Sequence, residues 1–123
     1  MKNVAILGAS DNPDRYAYLA QVKLQEHGYP VYPVSRSGKD ILGARGYTRL
    51  NHVDEKLDTV TLYLSPMHLT DVLDDILEKK PRRVIFNPGT ESETHIKKLE
   101  QAGIAVERAC TLVLLSTNQF ESM

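Results

Sequence analysis

Cysteine is almost missing from this chain: Cys110 is the only one in 123 residues. That excludes an intrachain disulfide and any centre built from several cysteines, and it fits a reducing compartment. Long apolar runs are missing as well, none approaching the roughly 18 residues of a membrane span. The first residues pass directly into the strand-like stretch Asn3-Val4-Ala5-Ile6-Leu7 without the basic start and cleavage region of a signal peptide, so a cytoplasmic location with no membrane partner is expected. Charge of one sign is missing too. Fifteen Lys and Arg against sixteen Asp and Glu leave a formal charge of −1, so no net basic field would hold a nucleic acid. The four histidines, at 27, 52, 68 and 95, lack metal-ligand spacing, and His27, His68 and His95 are expected to face solvent near helix ends, so no metal site is expected. No Ser, His and Asp set assembles from the sequence, and no catalytic residue is assigned.

What is present is an ordinary globular composition, 41% hydrophobic and 25% charged, in a length that makes one domain, 1–123. Strand-like and helix-like periods alternate along it. Val4-Ala5-Ile6-Leu7, ending at Gly8, reads as a strand buried on both faces. A helix over 15–27 follows, with Tyr16, Leu19, Ala20 and Leu24 as its apolar face and Gly28 to end it. Residues 30–34 give a second strand that carries two prolines and suits irregular pairing. After an irregular crossover over 35–58, with a short helical turn near 51–57, residues 59–64 are β-branched and aromatic and read as a third strand. Ser65 as N-cap and Pro66 in the first turn begin the clearest helix, where Leu69, Val72, Leu73, Ile76 and Leu77 form one stripe and Asp74 and Asp75 a polar face. Residues 82–86 form a fourth strand after Pro81. Thr90-Glu91-Ser92-Glu93 matches a capping box for a helix closed by Gly103. Residues 104–107 give a fifth strand, and 112–115 a closing apolar segment.

Five strands joined by helices or long crossovers imply an α/β fold: a Rossmann-like three-layer α/β/α sandwich whose parallel five-stranded sheet is expected in the order 3-2-1-4-5. The switch point would then fall between strands 1 and 4. Ligands bind at such a crevice outside the carboxyl ends of the strands, which makes the loops following the five strands the candidate site.

Gly8-Ala9-Ser10 occupies the first of these loops, where a phosphate would meet backbone N–H groups and a helix dipole, with the Ser10 hydroxyl and Arg15 as further donors. Ser10 and Pro13 stand at the second and third glycine positions of the G-x-G-x-x-G fingerprint, which argues against a standard NAD site. After strand 2 stand Ser35, Arg36 and Lys39 instead of the acid that holds a ribose diol, a pattern suited to a phosphorylated ribose. Both NADP and coenzyme A carry one.

The stretch from Val4 to Arg15, Gly28 to Val34, Gly38 to Gly43, Asn87-Pro88-Gly89 and Cys110 together resemble the small stand-alone CoA-binding protein family, related to the CoA-binding domain of the succinyl-CoA synthetase alpha subunit. The resemblance spans residue 3 to about Cys110. It implies a Rossmann-like domain that grips the nucleotide end of CoA or acyl-CoA, usually with no demonstrated reaction of its own. It further implies that Gly8, Ala9, Ser10 and Arg15 contact phosphates and that Lys39 sits near the ribose phosphate. Ser65, Pro66, Asn87, Pro88 and Gly89 would line the cleft beside the adenine and the pantetheine arm. Ser35-Arg36 departs from the Asn-Pro common in that family after strand 2. Cys110 follows strand 5 at the ligand edge, read either as a small buried hydrophobe or as a thiol within reach of the CoA thiol. The expected function is non-catalytic binding of CoA. A small NADP-dependent oxidoreductase, favoured by Arg36, and a ligand-free regulatory or structural subunit stay open, as do a homodimer and service as an accessory subunit of a larger enzyme.

Overall fold

A computed structural model describes residues 2–121. Its strands β1 (Val4–Leu7), β2 (Val31–Val34), β3 (Thr59–Leu62), β4 (Arg83–Phe86) and β5 (Ala105–Arg108) form one parallel sheet. The helices are α1 (Tyr16–Glu26), α2 (Pro66–Lys79), α3 (Glu93–Gln101) and α4 (Thr111–Ser116), with a short 3-10 turn at Leu50–His52. The expected α/β Rossmann-like sandwich is therefore present, with helices on both faces.

Strand order is where the expectation fails: the sheet runs β2-β1-β3-β4-β5, not 3-2-1-4-5. Pro33 explains why β2 stays at the edge. Its carbonyl faces outward and accepts from the Tyr47 N–H at 3.0 Å, and a strand residue points its N and its C=O to the same side. The donor that Pro33 lacks is thus missing on the outer side, where a full third strand would need it. Only a single parallel bridge, Val34 to Tyr47, forms there before the crossover carries the chain back across β1. Strand β3 then pairs with β1 through Val4–Thr59 to Leu7–Leu62, so the order reverses between β1 and β3.

The alternation of side chains along the strands builds two separate cores. Ala5, Leu7, Val60, Leu62, Val84 and Phe86 face the crossover, α2 and α3, where Leu50, Val53, Leu57, Leu69, Leu73, Ile76, Ile96 and Leu99 are buried. Val4, Ile6 and Ile85 face the other way, toward Ala17 and Leu24 of α1 and Leu114 and Leu115 of α4. Arg83 lies fully buried on that second side. It donates to the Phe120 carbonyl at 2.7 Å and to Glu107 at 3.1 Å, and its guanidinium stacks 4.5 Å over the Phe120 ring. The segment after α4 is held onto the sheet in this way.

Four local expectations also change. Helix α1 buries Ala17, Ala20, Gln21 and Leu24, while Tyr16 and Leu19 are exposed. Two alanines let the helix approach the sheet closely, and Gln21 is drawn inside because its Nε2 donates to the Ile41 carbonyl at 2.9 Å. Asp75 is not on a solvated polar face. It is buried and receives a two-pronged bond from Arg49 at 2.7 and 3.2 Å and a third from Asn51 at 3.1 Å, tying the crossover to α2. The capping box does not form: α3 starts at Glu93, and the Thr90 hydroxyl turns back to the Asn87 carbonyl at 2.7 Å. His95, expected in solvent, is buried between Ser92 (2.6 Å) and Thr70 (2.8 Å), and so links α3 to α2.

Candidate functional site

Reversal of the strand order between β1 and β3 opens a crevice at the carboxyl ends of β1, β2 and β3. A cleft of about 510 Å³ lies there, walled by Gly8, Ala9 and Arg15 after β1, by Ser35 and Arg36 after β2 with Thr48, and by Tyr63, Leu64, Ser65, His68, Asp71 and Val72 after β3. Of the residues expected from sequence, Gly8, Ala9, Arg15, Ser35, Arg36 and Ser65 come together on this one surface. The corrected strand order is the reason. Had β4 adjoined β1, the Asn87 loop would flank Gly8; with β3 in that place, the Ser65 loop does.

Gly8 is the floor of the cleft, and no other residue fits it. Its φ is +87°, and an added Cβ would meet the Tyr63 carbonyl oxygen at 2.5 Å. The Tyr63 N–H in turn donates to the Leu7 carbonyl at 2.8 Å, so the first and third loops are locked face to face. The amides of Gly8 and Ala9 both donate to the Val34 carbonyl, at 3.0 and 3.1 Å. These two residues therefore offer a close approach to a ligand rather than free donors. Beyond them Ser10 accepts from the Asn12 N–H at 3.1 Å, which leaves its hydroxyl hydrogen to donate elsewhere. Arg15, the exposed N-cap of α1, and exposed Arg36 form no ion pair among the described residues.

Lys39 does not line the cleft, but its ammonium lies 3.5 Å from Asp11 of the first loop. The loop that carries it is tightly folded: the Ser35 hydroxyl accepts from the Gly38 N–H, and the Gly46 N–H donates to Asp40. Pro66 sits at the first position of α2, whose N-cap is Ser65 as expected. Ser65 Oγ also lies 3.0 Å from His68 Nδ1. Burial pushes the Tyr63 phenol up to about 12, and its hydroxyl points inward, away from solvent, so Tyr63 contributes to the cleft wall without offering a polar group there.

Asn87, Pro88, Gly89 and Cys110 lie apart from the cleft lining. Asn87 is buried and fully used: its amide donates to Thr61 Oγ1 (2.6 Å) and the Leu62 carbonyl (2.8 Å), and its carbonyl accepts from the Thr111 N–H (2.9 Å). It fastens β3, β4 and the start of α4 to one another. Pro88 and Gly89 are exposed on the next loop along the sheet edge, and half-buried Cys110 is the N-cap of α4. His68, Asp71, Val72 and Thr48 were not expected at the site. The i, i+3 spacing of Ser65, His68 and Asp71 on one helix face was visible in the sequence, but only the neighbouring of β1 and β3 gives it a meaning. Among the described residues no three His, Cys, Asp or Glu side chains converge as metal ligands would, and no helix is long and apolar enough to cross a membrane.

Known proteins are similar to this chain in sequence and fold. A solved structure described as that of an uncharacterized protein is 44% identical, with a TM-score of 0.92 and 98% of each chain covered. YneT of Bacillus subtilis, itself described as uncharacterized, is 27% identical over 85% of this chain and 78% of its own length. The alpha subunit of an ADP-forming acetate–CoA ligase from Pyrococcus furiosus is also 27% identical, over 97% of this chain but only 28% of that subunit. The model of the CoA binding domain family matches residues 2–116, so the crevice beside Gly8 lies within a matched domain, and the chain belongs to that family.

Proposed function

We propose that the cleft holds the nucleotide end of coenzyme A or of an acyl-CoA, and that the chain acts as a single binding domain without a reaction of its own. The observation that carries this reading is the pair Arg15 and Arg36. Both line a crevice floored by Gly8, and neither is neutralised by a carboxylate among the described residues. A pyrophosphate fits the start of α1, with the Ser10 hydroxyl, Arg15 and the helix dipole as its donors. A ribose phosphate fits Ser35 and Arg36, with Lys39 reached once it leaves Asp11. Ser65 and Pro66 stand where the adenine side of the ligand would lie. The pantetheine arm would run along the sheet edge toward Pro88, Gly89 and Cys110, with Asn87 shaping that loop from behind. The match of residues 2–116 to the CoA binding domain family supports a binding role, and the chain spans only 28% of the ligase subunit it resembles. Partnership with a larger enzyme, as an accessory subunit, is part of this proposal. So is a reducing cytoplasmic setting, on the strength of the single cysteine.

Arg36 equally suits the 2′-phosphate of NADP, which makes an NADP-dependent oxidoreductase the second reading. A thermal-shift comparison of CoA, acetyl-CoA, NADPH and NADH separates the two, since a ligand that binds only the folded chain raises its melting temperature. CoA and acetyl-CoA are expected to stabilise the protein and NADH to leave it unchanged. Stabilisation by NADPH without CoA would overturn the proposal. No shift with any of the four would favour a subunit that keeps the fold without the ligand.

A further inference from the structure

Resting on the CoA reading, the geometry points to Asp71 as the residue that selects the base of the ligand, its carboxylate accepting a hydrogen bond from the 6-amino group of adenine. Asp71 is the one carboxylate among the residues that line the cleft, and it is exposed on the second turn of α2. It makes no ion pair among the described residues. An acid in a cleft built for an anion repels the ligand unless the ligand brings a hydrogen-bond donor to it. The cations stand on the loops after β1 and β2, whereas Asp71 stands on α2, the opposite wall. Phosphates therefore go to the arginine wall, and a donor-bearing, uncharged part of the ligand faces α2.

His68, three residues earlier on the same helix face, narrows what that part is. Ser65 Oγ accepts from the His68 N–H at 3.4 Å and lies 3.0 Å from His68 Nδ1, so its own hydrogen is free to be donated to Nδ1. That assignment leaves the ring proton on Nε2. The wall then presents an acceptor, Asp71, beside a donor, His68 Nε2. An amino group next to an unprotonated ring nitrogen matches this pair, and adenine carries that arrangement. Leu64 and Val72 line the same wall and give the flat ring an apolar surface to pack on. Hydroxyl groups of the ribose find their partners among Ser35 and Thr48 across the cleft.

The test is calorimetric titration of the full chain with CoA and with 1,N6-etheno-CoA, in which the amino nitrogen is bridged to the ring and has no N–H while every phosphate is kept. Wild-type protein should bind CoA about tenfold more tightly than the etheno derivative. Asp71→Ala should lower CoA affinity and shrink the preference for CoA over the etheno derivative, whose bridge also blocks the ring nitrogen facing His68, and Asp71→Asn, which keeps an acceptor oxygen, should retain most of the preference. Equal affinities of wild-type protein for the two ligands, or an Asp71→Ala variant that binds both more tightly, would overturn the inference and leave the CoA reading in place. Binding of neither ligand by the wild type would overturn the CoA reading and this inference with it.

Discussion

At Gly8 one hydrogen atom in place of a side chain lets two loops meet. A methyl group there would press on the Tyr63 carbonyl from a backbone conformation that alanine rarely adopts. Gly8→Ala is expected to cost at least about 2 kcal/mol in urea unfolding and to abolish ligand binding, because the loop must shift to admit the methyl. Arg15 and Lys39 differ in a way that binding measurements can resolve. Arg15 forms no ion pair among the described residues, so Arg15→Ala should weaken CoA binding about tenfold through the loss of a charge-assisted bond. Lys39 already has Asp11 at 3.5 Å, and a phosphate must compete for it, so Lys39→Ala should weaken binding by less. Equal losses in the two variants would contradict this ranking. Some of these positions were legible in the sequence. Gly8, Arg15 and Arg36 follow strands and come together in one cleft, whereas Lys39 lies outside the cleft lining, turned to Asp11 by a loop fold that composition does not reveal.

Two polar anchors hold neighbouring elements in register at the two ends of the central strands. Asn87 satisfies Thr61, the Leu62 carbonyl and the Thr111 N–H at once, in a region closed to water. Asn87→Ala should therefore lower stability by about 3 kcal/mol in chemical unfolding, since buried partners are left unpaired. A loss near zero would show that water replaces the amide. At the amino end of the same strands Arg82 grips Asp58 at 2.8 and 3.2 Å, with Thr59 donating to the same carboxylate. Burial raises the Asp58 pKa, but the bonds from Arg82 and Thr59 outweigh it and hold the group below its ordinary value of 3.8. A carboxyl depressed in the folded state adds stability above its unfolded pKa and loses it as pH falls through the folded one. Arg82→Ala should thus be less stable than wild type at pH 7, by under about 1 kcal/mol because the pair is partly exposed, with the gap closing as pH falls below about 4. A gap that persists at pH 2 would assign the loss to packing instead. Elements differed in how clearly the sequence announced them. Helix α2 was evident because its Ser65 cap and its apolar stripe agree. The capping-box pattern before α3 misled because Thr90 is needed to close the Asn87 turn, and the face of α1 misled because Gln21 is buried for the sake of a distant carbonyl.

At the scale of the whole molecule, the sequence shows five strands, three helices and a closing apolar segment through periodicity and punctuation, but the order of the strands rests on long-range pairing, to which the missing donor at Pro33 contributes by disfavouring a full strand beyond β2. The crossover returns over β1, β3 pairs beside it, and α2 comes to line the same cleft as the arginines. The position of the cleft follows from tertiary pairing that no local pattern encodes, which is why Asp71 and His68 were not expected there and Asn87 was. Folding thus converts a chain of net charge −1 into a surface where two arginines, without an ion pair among the described residues, line one cleft with a glycine turn. The most direct measurement of whether that surface is a CoA site is calorimetric titration of CoA into the full chain and into the double variant Arg15→Ala/Arg36→Ala. Saturable one-to-one binding by the wild type, lost in the double variant while its unfolding midpoint is unchanged, is the predicted result; binding of equal strength in both proteins, or none in either, would contradict it.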